Sequence, residues 1–427
     1  MAATASAFHR EIEYISPTRQ RVMGVIFLLI GFAIWYLFAR PLESGVMTKF
    51  GMTPGGVKAV VPDLVLPSLT TINLLVALCG ILGVIQLARK GGFKRSTNLV
   101  LGVTAGFFVI GFLTYAAAGK SFNLAGLMHS TLLKAVPLTL GALAGVLSER
   151  AGVVNIAIEG MMLSAAMTAC IIASVTKNLW LGMLAGILTG AFYGVVHGVL
   201  SIKYKVNQII SGTAINIFST GITSYVSAKF LQPIQELNSS GTFKPISIPL
   251  LSEIPVIGPM LFKNNVYVYA MFVFLVMLHI GLFYTRWGLR LRSVGEHPKA
   301  ADTLGINVFR TRYMAVLLGA MMAGFAGSYF TLGSVGRFDE VMTAGRGFIS
   351  LAAMIFGNWM PFGSFGAGLL FGFADSLASK LAILGVQIPS QFLLMAPYVI
   401  TMIVLAGVVG RGQMPAADGT PYEKEST

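Results

Sequence analysis

A short list of residue groups in this chain could do chemistry, and most of them fail on spacing. Gly119-Lys120-Ser121 resembles the end of a phosphate-binding loop, but Thr114 stands where that motif needs its first glycine. It also lies between two apolar stretches, without the buried strand that a phosphate loop follows. His9, His129, His197, His279 and His297 are scattered, with no His-x-x-x-His or Cys-x-x-Cys pair, so no metal site is expected. Cys79 and Cys170 both sit in apolar runs, which implies neither a disulfide nor zinc. No Gly-x-Ser-x-Gly elbow offers an activated serine. Bond-making chemistry, and with it a resident cofactor, is therefore not expected.

What remains are polar residues in costly places. The segment SERAGVVNIAIEG (148–160) carries Glu149, Arg150, Asn155 and Glu159 between apolar stretches, with Gly152 and Gly160 loosening the backbone. Ionisable groups at membrane depth tend to mark a pathway, and broken helices survive there only where protein or water satisfies the backbone. A plain cytoplasmic turn is the competing reading. Asn207 and Asn216 lie about 13.5 Å apart along a helix axis, which puts Asn216 near mid-membrane if Asn207 is at the edge. Its amide can meet a polar ligand or bridge two helices, the commoner use. His197 reads more readily as a packing histidine than as a ligand. Asp375 is a lone acid, with Lys380 as a neighbouring partner.

These residues sit in a chain of 427 residues, 55% hydrophobic and only 11% charged, with mean hydropathy +0.78. Ordinary soluble domains are about 25% charged. A soluble enzyme, a disordered chain and a disulfide scaffold are excluded. Stretches free of Asp, Glu, Lys and Arg lie at 22–39, 69–88, 96–119, 121–133 with 135–148, 160–176, 178–202, 206–228, 264–285, 313–336, 347–374 and 381–410. Without period-2 alternation they read as about eleven transmembrane helices, an all-α polytopic membrane protein. The stretch at 347–374 is interrupted by Asn358-Trp359-Met360-Pro361-Phe362-Gly363, and reads as a short re-entrant helix and then a further span. The crossing around Lys134 reads as interrupted, so the order from 96 is crossing, interrupted crossing, crossing, crossing. The same order and orientation recur from 313, which raises a parallel repeat of the transporter kind.

The net charge of +14 lies in loops beside these spans. Arg10, Arg19 and Arg21, then Arg89, Lys90, Lys94 and Arg95, then Lys203 and Lys205, then the loop 286–312 all fall on one side if the N-terminus is inside. That is the cytoplasmic side. The loop 229–263, with five prolines, falls outside and should be irregular. The long charged leader and the lack of a small-residue cleavage site argue against a signal peptide. Gly182, Gly186, Gly190, Gly194 and Gly198 give one span a smooth face for close helix packing. In VGEHPKAADTLGIN (294–307), Pro298 is placed to start a helix of about two turns and Gly305 to end it. With Ala300, Ala301 and Leu304 it has the shape to dock in a groove of another protein.

LSERAGVVNIAIEGMML (147–163), VGEHPKAADTLGIN, AGFAGSYF (323–330) and GRGFISLAAMIFGNWMPFGSFGAGLLFG (345–372) together resemble the permease subunits of ATP-binding-cassette importers for nucleosides and simple sugars, within the wider ribose and branched-chain amino-acid permease family. The resemblance covers roughly 120–410. It implies an importer permease fold, and a translocation path for nucleosides or related simple sugars in a cytoplasmic (inner) membrane, with both termini inside. It implies three partners: a second related permease in a heterodimer, an ATP-hydrolysing subunit, and a periplasmic or lipid-anchored binding protein. Asn155, Glu159 and Asn216 would fall beside the path. Gly295, Glu296, His297, Ala300, Ala301, Leu304 and Gly305 would meet the ATPase. Two features depart from the family pattern: Gln208 stands where an acid is expected, and residues 1–95 add two helices ahead of a permease domain at 96–410, with a cytoplasmic tail at 411–427. The rival reading is a proton- or sodium-coupled transporter using Glu159, Asp375 and His197 as a relay. A membrane-embedded enzyme ranks last, since it lacks a nucleophile or metal set.

Overall fold

The computed structural model describes residues 16–55, 61–89, 92–385, 395 and 414–424. It divides into two compact units, with the boundary after Leu124 and residues 54–57 grouping with the second.

The first unit holds three helices: α1 (Pro17–Ala39), α2 (Ser68–Ala88) and α3 (Thr97–Ala116). Pro17 opens α1, with the Ser16 hydroxyl accepting from the Arg19 amide. The sequence suggests a domain boundary at 95, ahead of α3; by contacts α3 clusters with α1 and α2. The chain between α1 and α2 forms β1 (Met47–Gly51), antiparallel to β2 (Leu64–Pro67), and β3 (Ser121–Asn123) adds to β1 in parallel. These strands were not expected. They are too short and too irregular in pattern to stand out beside the helical spans.

The second unit is helical. Its long elements are α4 (Leu124–Glu149), α5 (Ile158–Thr176), α6 (Leu179–Lys203), α7 (Gln208–Val226), α9 (Val266–Tyr284), α12 (Val308–Val335) and α14 (Pro361–Ile383). Shorter ones are α8 (Ile257–Leu261), α10 (Arg286–Glu296), α11 (Pro298–Thr303) and α13 (Arg346–Phe356). Among the described residues nine helices are long and apolar enough to cross a membrane. α7 is long enough but is not among the nine; it carries Thr, Ser and Asn along its length. The expected last span at 381–410 lies mostly outside the described residues. The loop 229–263 is irregular as expected, with a two-residue strand pair, β4 (Ile246–Ser247) and β5 (Lys263–Asn264).

The crossing around Lys134 is not interrupted: α4 runs unbroken through Lys134 and Pro137. The Lys134 ammonium is neutralised by Asp375 at 3.0 Å, so it does not break the helix. Pro137 has no N–H to give the Leu133 carbonyl, and that carbonyl accepts instead from the Tyr329 hydroxyl at 2.8 Å. With α4 whole and α3 in the other unit, the parallel-repeat idea loses its first two elements. Asp375 pairs with Lys134 and with Arg346 at 3.6 Å, where Lys380 was the expected partner.

The glycine face of α6 packs as expected. A Cβ at Gly190 would collide with the Ala320 carbonyl and Gly324 on α12, and one at Gly182 with Ala169 and Ala173 on α5. The helices α4, α5 and α12 are 83%, 78% and 83% buried, so protein rather than lipid surrounds them.

Candidate functional site

The helix break lies where the sequence placed it. α4 ends at Glu149, α5 begins at Ile158, and the residues between follow no regular path. Buried non-helical backbone needs partners for its polar groups, and side chains noted in the sequence supply several of them. Gln208 Oε1 accepts from the Val154 amide at 2.7 Å, and His197 Nε2 lies 3.0 Å from the Val154 carbonyl. Asn216 works in both directions: its Nδ2 donates to the Ile156 carbonyl at 2.9 Å and its Oδ1 accepts from the Gly160 amide at 2.8 Å. Asn216 is thus the helix bridge, the commoner of its two readings. His197 is the packing histidine, with its other ring nitrogen 3.1 Å from the Ser211 hydroxyl. Gln208, the departure from the family pattern, keeps the acceptor that the Val154 amide needs. Asn207 caps α7, its Oδ1 accepting from the Ile209 amide at 2.9 Å.

The same segment grips α13 at both ends. Glu159 accepts from the Thr343 hydroxyl at 2.6 Å and from the Gly345 and Gly347 amides at 2.9 and 2.6 Å. A carboxylate on the unpaired amides of a helix N-terminus is favoured by hydrogen bonding and by the helix dipole. At the far end, Glu149 accepts from the Trp359 indole at 2.6 Å, and the Arg150 guanidinium donates to the Trp359 and Asn358 carbonyls at 3.0 and 3.3 Å. Asn358 and Trp359 both have positive φ, 55° and 52°. An aromatic residue adopts that conformation only where its surroundings impose it. The short helix, turn and long helix at 346–383 follow the expected order.

Asn155 differs from its neighbours. It is fully buried, its Nδ2 has only the Met161 sulfur at 3.9 Å, and its Oδ1 has no donor.

The proposed relay does not connect. Glu159 is held by a hydroxyl and two amides, Asp375 by Lys134 and Arg346, and His197 by Ser211 and Val154. Among the described residues no group of His, Cys, Asp or Glu is arranged to hold a metal ion.

The basic loop also takes shape. α11 spans Pro298–Thr303, and Gly305 follows with φ +82°, matching the predicted start and stop. The preceding helix α10 was not foreseen; its polar, basic sequence reads as loop. Ala300, Leu304 and Gly305 are exposed, Leu304 at 81%. Glu296 and His297 are exposed too. Gly295 and Ala301 are buried within the chain. A Cβ at Gly295 would collide with the Arg150 carbonyl and press on Gly152. The two segments that the sequence singled out therefore touch: the loop bearing α11 rests on the helix break.

Two comparisons bear on this architecture. The family model for the permease component of branched-chain amino acid transport systems matches residues 127–409, starting just inside the second unit. The guanosine ABC transporter permease protein NupQ of Bacillus subtilis is 39% identical over 312 residues, 70% of this chain and 96% of that protein. The nucleoside ABC transporter permease protein NupC of Lactococcus lactis is 40% identical over 311 residues, again 70% and 96%. The putative glucose ABC transporter permease protein TsgC13 of Haloferax volcanii is 34% identical over 253 residues, 59% of this chain and 77% of that protein. No solved structure matches. The family model covers more than half of the chain and two relatives near 40% identity cover most of it, so the chain is a member of the permease-component family of ABC transport systems.

Proposed function

We propose that this chain forms the translocation path of an importer for nucleosides or related simple sugars, and that a separate ATPase subunit supplies the energy. The names of the relatives support the substrate class. The positive-inside pattern supports a multi-pass protein of the cytoplasmic membrane with both termini inside. A second related permease completes the path, and a periplasmic or lipid-anchored binding protein delivers the solute.

One observation carries the mechanism: Gly295, just ahead of α11, is pressed against Arg150 in the helix break. The ATPase seats on the exposed face of α11, with Ala300, Leu304 and Gly305 in its groove and Glu296 and His297 at the edge. When it closes, α11 moves, and the backbone contact at Gly295 hands that motion to residues 150–157. Glu149, Arg150 and Glu159 then carry α13 along. The permease makes no bonds; it alternates between a form that accepts solute from outside and one that releases it inside, each with its own affinity. Asn216 and Glu159 flank the path by shaping its wall. Asn155, whose Oδ1 is unused, is the side chain able to accept a hydroxyl from a passing solute once the break shifts.

The test is Leu304→Asp in the complete importer, read as ATP-dependent uptake of radiolabelled guanosine and glucose. Uptake should vanish while the protein still folds. Full uptake would refute the docking assignment. Uptake that stops when ion gradients are collapsed with ATP held high would refute the energy source.

A further inference from the structure

Residues 414–424 return to the base of the second unit and touch both parts of the proposed transmission route. The Ala417 amide donates to the Gly295 carbonyl at 2.9 Å, and the Ala416 amide to Glu296 Oε2 at 3.1 Å. The Arg312 guanidinium, at the start of α12, donates to the Thr420 carbonyl at 2.8 Å. Gly152 in the helix break has φ +81°, and a Cβ there would press on the Ala417 carbonyl. The Asp418 carboxyl lies against Glu149, the last residue of α4. Tyr422 is buried with Val294, Ala301 and Val308, its ring 5.4 Å from that of Phe309. Ala301 is the inward face of α11, so that helix sits on Tyr422 together with Val294 and Val308. Between α11 and this segment runs a groove of about 610 Å³, walled by Lys299, Asp302 and Thr303 on one side and by Tyr422, Glu423 and Lys424 on the other.

A six-residue helix has too few internal hydrogen bonds to hold itself in place. Ala301 alone buries little apolar area. Without Tyr422 beneath it, α11 would yield when pushed and the push would be lost. We propose that Met414–Lys424 is a clamp that fixes the α11 loop to the helix break, with Tyr422 as the positioning residue on which ATPase motion is transmitted. The proposal rests on the importer reading above. It makes the route two-stranded: one strand is the direct Gly295–Arg150 contact, and the other runs from α11 through Tyr422 and Ala417 to Gly152 and Glu149.

The experiment has two arms and three variants: Tyr422→Ala, Tyr422→Phe, and deletion of residues 414–427. The first arm measures amide hydrogen exchange of residues 298–307 in the purified chain, which requires no transport. The second measures solute taken up per ATP hydrolysed in the complete importer. The clamp predicts exchange at least about tenfold faster for Tyr422→Ala and the deletion, with Tyr422→Phe close to wild type. It predicts that uptake per ATP falls about three- to tenfold in the same two variants. Unchanged exchange, or faster exchange with uptake per ATP intact, overturns the clamp and leaves the importer reading standing. A wild-type complex with no ATP-dependent uptake overturns the importer reading itself, and this proposal with it.

Discussion

The two units differ in how much irregular backbone their buried polar side chains serve. In the first, Gln20, Gln86 and Thr97 form a small cluster: Gln86 Nε2 donates to Gln20 Oε1 at 2.6 Å, and the Thr97 hydroxyl to the same oxygen at 2.7 Å. Thr48 joins the Ser68 hydroxyl at 2.7 Å and the Thr114 carbonyl at 2.9 Å. Most of these bonds link side chains on or beside regular helices, whose backbones are already satisfied. In the second unit, Gln208, His197, Asn216 and Glu159 spend their bonds on backbone that has no helical partner. Burial singles out three helices: the buried share of the apolar stretch is 83%, 78% and 83% for α4, α5 and α12, against 33%, 28% and 28% for α1, α2 and α3 and 33%, 33% and 44% for α6, α9 and α14. A regular helix can lean on lipid and needs few polar contacts. A broken one must be enclosed, and its polar contacts then become the parts that can shift.

Breaking that comparison at its strongest point should cost most. Glu159→Ala strands the Thr343 hydroxyl and two amides at the start of α13, a loss of roughly 3 kcal/mol or more. Thermal unfolding in detergent should fall sharply, and uptake should be abolished. Asn216→Ala orphans one carbonyl and one amide in the break and should cost about 1–3 kcal/mol in the same assay. Asn216→Asp keeps the acceptor for Gly160 and should recover part of that loss.

A subtler test concerns the clamp. Burial pushes the Asp418 carboxyl up to about 7 from an ordinary 3.8, against the pull of neighbouring Glu149, the Gly419 amide and the Arg312 guanidinium. The docked segment therefore holds more protons than the free one between those two values. Docking is strongest below the ordinary value, weakens as pH rises towards about 7, and levels off above it. A fluorophore on Lys424→Cys should lose anisotropy across that window, and Asp418→Asn should weaken the pH dependence, with Glu149 beside it supplying the remainder. The smallest effect belongs to the first unit. Gln20→Ala should cost about 1 kcal/mol, the usual scale for a polar contact between membrane helices, and leave uptake unchanged. A large loss of uptake there would erase the contrast between the units.

Much of the second unit was legible in the sequence, because length of apolar run and helix punctuation are local properties. The break at 150–157, α11 between Pro298 and Gly305, and the turn before Pro361 all follow from local signals. What Asn155, Asn216 and Glu159 bind was not legible, since their partners lie up to 188 residues away. Lys134 looked like an interruption because its counter-ion, Asp375, is 241 residues further on. α10 was missed because its basic face reads as loop until Leu291 and Val294 are seen buried. The segment Met414–Lys424 has no periodicity at all, and only its contacts reveal its place.

The central claim is that this chain moves solute only when pushed by an engine it lacks. The direct measurement is uptake of radiolabelled guanosine into liposomes, first with this chain alone under proton and sodium gradients. The second permease, the ATPase, the binding protein and ATP are then added. The account predicts no uptake in the first case and ATP-dependent uptake in the second. Gradient-driven uptake by the lone chain would contradict it.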